Sequence, residues 1–162
     1  MVLVTFRLTL REAEQNDAAA LAAYQADPRY LEHYPAPPDA ERIIQLACEW
    51  AAESPRLNYQ LIVALGTHGP AIGCVGLRQA GYPCGEAEVG VEFNPLHWGA
   101  GYAHEALSIL IGFAQHQLGI HQLWASTTLG NQRAHRLLRN LGFSPEPPVG
   151  AALRFGLRLA AA

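Results

Sequence analysis

Polar and apolar residues alternate at the start of the chain. Leu3, Thr5, Arg7, Thr9 and Arg11 fall on every second position, which predicts a strand over 3–12. The period then lengthens. Asn16 or Asp17 caps a helix through DAAALAAYQ to about Gln25, and Asp27-Pro28 ends it. The segment 29–38, RYLEHYPAPP, is too rich in proline at its end to form a long helix. After Pro38, with Asp39 as cap, a second helix runs to about Glu53 and carries Ile43, Leu46, Ala47 and Trp50 on one apolar face. A strand over 59–65, a turn at Thr67 to Pro70 and a strand AIGCVGLRQA then read as a hairpin.

Residues 86–93 alternate cleanly, with Glu86, Glu88, Gly90 and Glu92 on one side and Ala87, Val89, Val91 and Phe93 on the other. Asn94-Pro95 stops this strand. A glycine-bearing loop follows, and a helix opens near Gly101 with Ala103, Leu107, Leu110, Ala114 and Leu118 along its stripe, stopping at Gly119. A strand over 121–128 leads to a short helix from Asn131 to Asn140. Leu137, Leu138 and Leu141 should face inward there, and Arg133, Arg136 and Arg139 outward. One more strand is predicted near 151–159, beyond Pro145, Pro147 and Pro148. The order β-α-α-β-β-β-α-β-α-β puts three strands in a row. That excludes a simple doubly wound fold and predicts an α/β protein with a mixed sheet covered by helices.

The loop between the acidic strand and its helix carries the chemistry. Gly99 and Gly101 remove side chains where the backbone turns tightly or a ligand approaches. The helix behind them offers unpartnered amides and the positive end of its dipole. Together these make a phosphate site. As a dinucleotide fingerprint the segment fails, because His104 stands where the third glycine belongs and the preceding chain lacks the βαβ order.

With 162 residues and half of them hydrophobic, the chain has the size of one domain, spanning 1–162, with a substantial core. No apolar run approaches the roughly 18 residues of a membrane span, and the N-terminus carries no signal-peptide pattern. A cytoplasmic protein is the expected default. Net charge is −3 with no basic block, which argues against a nucleic-acid binder. All eleven basic residues are Arg, a bias of composition and not chemistry. Cys48, Cys74 and Cys84 are odd in number and are expected to be free thiols. The seven histidines show no H-x-x-x-H pair and no cysteine partner, so no metal is expected.

Two segments taken together are more specific. Pro95, Trp98, Gly99, Gly101, Tyr102, Ala103, Glu105 and Ala106 form P-x-x-W-G-x-G-Y-A-x-E-A; Asn131, Ala134, Leu138, Gly142 and Phe143 form N-x-x-A-x-x-x-L-x-x-x-G-F. The pair resembles the GNAT superfamily of N-acetyltransferases, and more closely its RimJ/RimL-type branch of ribosomal-protein N-terminal acetyltransferases. The match is firm from 86 to 143 and looser elsewhere. It implies the GNAT fold and an acetyl-CoA-dependent transfer to a primary amine, with coenzyme A as product. In this reading the loop Trp98, Gly99, Ala100, Gly101, Tyr102 and Ala103 cradles the pyrophosphate. The thioester arm would lie along Val91, Glu92 and Phe93 in a splay between that strand and the next, and Asn131 would bond the arm. The superfamily's broader loop pattern has a polar residue where Trp98 stands.

For the base that takes the amine proton, Glu88 and Glu92 are the candidates, directly or through water. Their side of the strand faces either the substrate or plain solvent. His97 is a weaker candidate. Many relatives carry a tyrosine seven residues after the asparagine, as general acid; here that position is Leu138, so the acid is unassigned, with Ser126 or solvent as alternatives. Asn131 also suits a helix cap, and Glu105 suits a first-turn charge complementing the dipole. Tyr24, Tyr30, Glu32, His33 and Tyr34 fall where relatives shape the acceptor site. The acceptor is a protein N-terminus or a small-molecule amine, and C-terminal edge strands suggest a homodimer. The rivals are a non-catalytic acyl-CoA sensor and a domain binding ATP or NAD.

Overall fold

The computed structural model describes residues 1–34 and 38–160; the end of the proline-rich segment, 35–37, lies outside them. Eight strands form one mixed sheet: β1 (Val2–Val4), β2 (Leu8–Glu12), β3 (Asn58–Leu65), β4 (Ala71–Arg78), β5 (Glu86–Phe93), β6 (Gln122–Thr127), β7 (Ser144–Val149) and β8 (Ala152–Arg158). Their spatial order is β1-β2-β3-β4-β5-β6-β8-β7, and every pairing is antiparallel except β5 with β6. Among the described residues, five helices complete it: α1 (Asp17–Gln25), α2 (Pro28–Leu31), α3 (Ala40–Ala51), α4 (Tyr102–Leu118) and α5 (Gln132–Asn140). This is the mixed α/β architecture the alternation predicted.

Three details differ from the sequence reading. The expected strand over 3–12 is a hairpin, with Val2 paired to Arg11 and Val4 to Thr9. The turn is tied by the Thr5 amide donating to the Leu8 carbonyl at 2.9 Å and the Leu8 amide donating to Thr5 Oγ1 at 2.9 Å. The alternation continues through this turn, so periodicity alone could not show it. A one-turn helix α2 follows α1 directly. Pro28 occupies its first turn, where no amide is needed, and Asp27 accepts from the Arg29 amide at 2.9 Å. Strand β7 forms despite Pro145, Pro147 and Pro148, which an edge strand tolerates because its outer side needs no donors.

Strands β3 and β4 are buried on both faces, so both sides of the sheet carry a core. On one face Leu61, Val63, Val75, Leu77, Val89 and Phe93 pack with Leu107 and Leu110 of α4. On the other, Ile62 and Cys74 pack with Leu21, Tyr24, Tyr30 and Ile44 of the three N-terminal helices. Each fully buried leucine or isoleucine contributes about 1.5–3 kcal/mol. Helix α1 is anchored to β2 by a buried carboxylate: Asp17 accepts from Arg11 Nη1 and Nη2 at 2.8 and 2.7 Å and from the Glu14 amide at 2.8 Å.

The feature that makes a site is the seam between β5 and β6. Parallel pairing covers only Glu86–Glu88 against Gln122–Trp124. Beyond it, Val89 to Phe93 stay paired with β4 alone, and the strands part. The expected splay is present. Among the described residues, no helix is long and apolar enough to cross a membrane.

Candidate active site

A cavity of about 370 Å³ opens where the strands part. Val91, Glu92 and Phe93 of β5 line it, with Trp98, Gly99, Gly101, Tyr102 and Ala103 of the loop and helix start, and Asn131, Arg133 and Arg136 of α5. Tyr30, His33, Tyr34 and His97 complete its other end. Nearly all the loop residues picked from sequence therefore surround one volume. Ala100 is the exception: its carbonyl turns away and accepts from Arg7 Nη1 at 2.9 Å. Glu88 lies further back on the same face of β5, opposite Arg78 and Trp124, and does not line the cavity.

The loop is built from backbone. Asn94 Oδ1 accepts from the Leu96 amide at 3.0 Å and starts a short turn, Pro95–His97. Gly99 and Gly101 follow at φ +81° and +82°, a region costly for any side chain. Gly101 caps α4 with no side chain to satisfy the helix's first amides, so these remain available to an anion. Trp98 has a structural reason: its Nε1 donates to the Phe93 carbonyl at 2.9 Å and ties the loop to β5. The Arg133 guanidinium lies 4.8 Å from the Trp98 ring centroid, which places a cation over the loop. Arg133 and Arg136 thus face the cavity mouth, a role that the outward reading of α5 did not foresee.

Glu105 does more than complement the helix dipole. It accepts from Thr5 Oγ1 at 2.5 Å, from the Arg7 amide at 3.0 Å and from Arg7 Nε at 2.7 Å. Burial pushes its carboxyl up, but these bonds and the Arg7 charge outweigh that and hold it below the usual range. Asn131 Oδ1 accepts from the Ala134 amide at 3.1 Å, so it caps α5 while also lining the cavity.

At the opposite end stands Glu92, the one carboxylate lining the cavity among the described residues. Its Oε1 accepts from the Tyr24 hydroxyl at 2.7 Å and Gln25 Nε2 at 2.8 Å, and its Oε2 from the Tyr30 hydroxyl at 2.5 Å. Burial first, then Cys74 and Glu92 for Tyr24 and Glu92 for Tyr30, raises both tyrosines far above their ordinary range, so they stay protonated and donate. Tyr34 stacks on Tyr30 with ring centroids 4.4 Å apart. Tyr24, Tyr30 and Tyr34 were within reach of the sequence as acceptor-region residues; Gln25 was not, since an amide at a helix end carries no signal of its own. Leu138 is buried in the core, and Ser126 is exposed on β6 outside the cavity lining.

The arrangement offers backbone donors for an anion, a slot along a strand edge, and a fixed carboxylate at its far end. Comparison with known proteins gives the family. Residues 7–144 match the family model of the acetyltransferase (GNAT) domain. Over 149 residues, 89% of this chain and 83% of the relative, the chain is 30% identical to the uncharacterized N-acetyltransferase p20 of Bacillus licheniformis. Its fold is similar to that of the acetyltransferase from Agrobacterium tumefaciens str. C58, with TM-score 0.82 and 24% identity across 98% of this chain and 95% of that one. It is also similar to Mycobacterium smegmatis RimJ in complex with CoA-disulfide, with TM-score 0.75 and 19% identity across 93% and 81%. The chain belongs to the GNAT acetyltransferase family, and it is an N-acetyltransferase. Enzymes of this family use acetyl-CoA.

Proposed function

We propose that residues 1–162 act as one domain that transfers the acetyl group of acetyl-CoA to a primary amine, with a protein N-terminus, as in the RimJ/RimL branch, as the first acceptor to test. The observation that carries this reading is the position of Glu92: a carboxylate held by three donors at the inner end of a slot whose outer end is a glycine loop and helix N-terminus. The residues present fit the coenzyme. Free amides at Gly101 and the first turn of α4, with Arg133 and Arg136 beside them, suit its phosphates, and the unpaired edge of β5 from Val89 to Phe93 suits its amide-bearing arm.

The coenzyme supplies an activated acetyl group as a thioester. The chain supplies orientation and a proton acceptor. Of the roughly four acceptor positions of a carboxylate, Tyr24 and Gln25 occupy those of Oε1, while Oε2 has Tyr30 and capacity to spare. Oε2 then receives the proton released as the amine nitrogen bonds the acetyl carbon and the carbon–sulfur bond breaks, directly or through one water. A main-chain N–H on the open edge of β5, at Val91 or Phe93, would donate to the thioester oxygen as charge develops on it. With Leu138 in the core, solvent at the open mouth protonates the departing thiolate. Glu88, on the same face but outside the cavity, serves at most as a second link for that proton.

Calorimetric titration with acetyl-CoA, with ATP and NAD as controls, tests the cofactor. Mass spectrometry of peptides and polyamines incubated with enzyme and acetyl-CoA then tests the acceptor. Selective acetyl-CoA binding and acetylation of a peptide α-amine are expected; acetylation of side-chain or polyamine nitrogens alone would overturn the branch assignment.

A further inference from the structure

The phosphate loop has an internal weakness. Gly101 tolerates both signs of φ, so the peptide joining Ala100 to Gly101 can rotate at little cost in the absence of an external hold. Rotated one way, it offers an N–H to the cavity; rotated the other, it offers a carbonyl oxygen, which repels phosphate. Nothing in the loop's own side chains decides between the two.

The deciding contact comes from the N-terminal hairpin. Arg7 Nη1 donates to the Ala100 carbonyl at 2.9 Å. The same guanidinium is fixed by Glu105, through Nε and Nη2 at 2.7 Å each, and lies 4.5 Å from the centroid of the Tyr102 ring. Arg7's own amide also donates to Glu105. In a planar trans peptide the C=O and the following N–H point to opposite sides. Holding the Ala100 oxygen outward therefore turns the Gly101 N–H inward, and Gly101 lines the cavity while Ala100 does not.

We infer that Arg7 is a positioning residue for coenzyme binding: held by Glu105, it locks the Ala100–Gly101 peptide in the orientation that presents an N–H to phosphate. This rests on the reading of the cavity as the acetyl-CoA site. Arg7 itself does not line the cavity. It acts from 93 residues away in sequence, through one carbonyl.

The test compares Arg7→Ala and Glu105→Gln with the wild type, using acetyl-CoA and acetyl-pantetheine, which keeps the thioester arm but has no phosphates. Calorimetry reads the first ligand and NMR titration the weaker second. For Arg7→Ala, acetyl-CoA affinity should fall about 10- to 100-fold, the range for losing a hydrogen bond to a charged group, while acetyl-pantetheine affinity holds. Glu105→Gln should show the same selectivity with a smaller loss, because Arg7 keeps its carbonyl partner. With glycine ¹⁵N-labelled, the Gly101 amide should shift strongly downfield on coenzyme A binding in the wild type and not in Arg7→Ala. Unchanged acetyl-CoA affinity in Arg7→Ala, or equal losses for both ligands, would overturn the inference. Wild-type protein that fails to bind acetyl-CoA would instead sink the cofactor reading beneath it.

Discussion

The two ends of the cavity are made of different material. The end we propose for phosphate is backbone: two glycines at positive φ, a helix start without a side-chain cap, and an indole bonded to a carbonyl five residues away. The end we propose for the amine is side chain: Glu92 meets Tyr24, Gln25 and Tyr30 from 68, 67 and 62 residues earlier in the chain. An anion-binding backbone must be spelled out in consecutive residues, because each dihedral is a local property. A held carboxylate needs only that donors arrive, from anywhere. One end is therefore a motif and the other an assembly.

If that contrast is right, the two ends should fail in different ways. Gly101→Glu gives the largest effect: it forces a side chain into the left-handed region, a strain of about 1–2 kcal/mol, and sets a carboxylate where we propose that phosphate binds. Acetyl-CoA binding by calorimetry should be abolished. Glu92→Gln should do the reverse, lowering turnover by about 100-fold or more, the usual worth of a general base, with acetyl-CoA affinity unchanged. Glu88→Gln in the same assay should cost less than about twofold, as expected for a residue away from the reacting groups; an equal loss would make both glutamates part of the proton path.

Arg133→Ala is a milder test of the phosphate end. Losing the cation stacked on Trp98 should weaken acetyl-CoA about tenfold at low salt and flatten the dependence of affinity on ionic strength. Affinity that keeps its full salt dependence would assign the charge elsewhere.

The smallest effect probes the scaffold of the amine end, because α1 carries Tyr24 and Gln25. Burial raises the Asp17 carboxyl, but the bonds from Arg11 and the Glu14 amide outweigh it and leave it below the usual range. A carboxyl depressed by folding stabilises the protein above its unfolded pKa, near 3.9, and that contribution is lost as pH falls through the folded value. Asp17→Asn should therefore lower stability by about 1–3 kcal/mol at pH 7, and the deficit in thermal melts should shrink below about pH 4. A deficit independent of pH would mean that shape, not charge, anchors α1.

Much of the architecture was legible because each strand and helix carries its own period: β5 alternates over its whole length, and α4 has one apolar stripe between two glycines. The errors came where local pattern and tertiary pairing part company. The turn at Thr5 to Arg7 keeps the alternation of the strands around it, and β7 reads as a loop because its prolines forbid an inner strand but not an edge one. In the candidate site, the glycine loop was read from its own residues and Asn131 from the family resemblance. Arg7 and Gln25 were not, since a single arginine on a strand and a glutamine at a helix end look the same whether they hold a loop or face water.

The sequence by itself determined most of the order of elements, the glycine loop and the family, because these rest on periodicity, on dihedrals only glycine adopts, and on residues at fixed spacing. Only the tertiary structure decided which glutamate faces the cavity, which residues hold it, and which way the Ala100–Gly101 peptide points. Glu88 and Glu92 share one strand face and one residue type, and no local property separates them. What separates them is where β6 leaves β5, and that is a contact between residues 36 apart in the chain, such as Glu88 and Trp124.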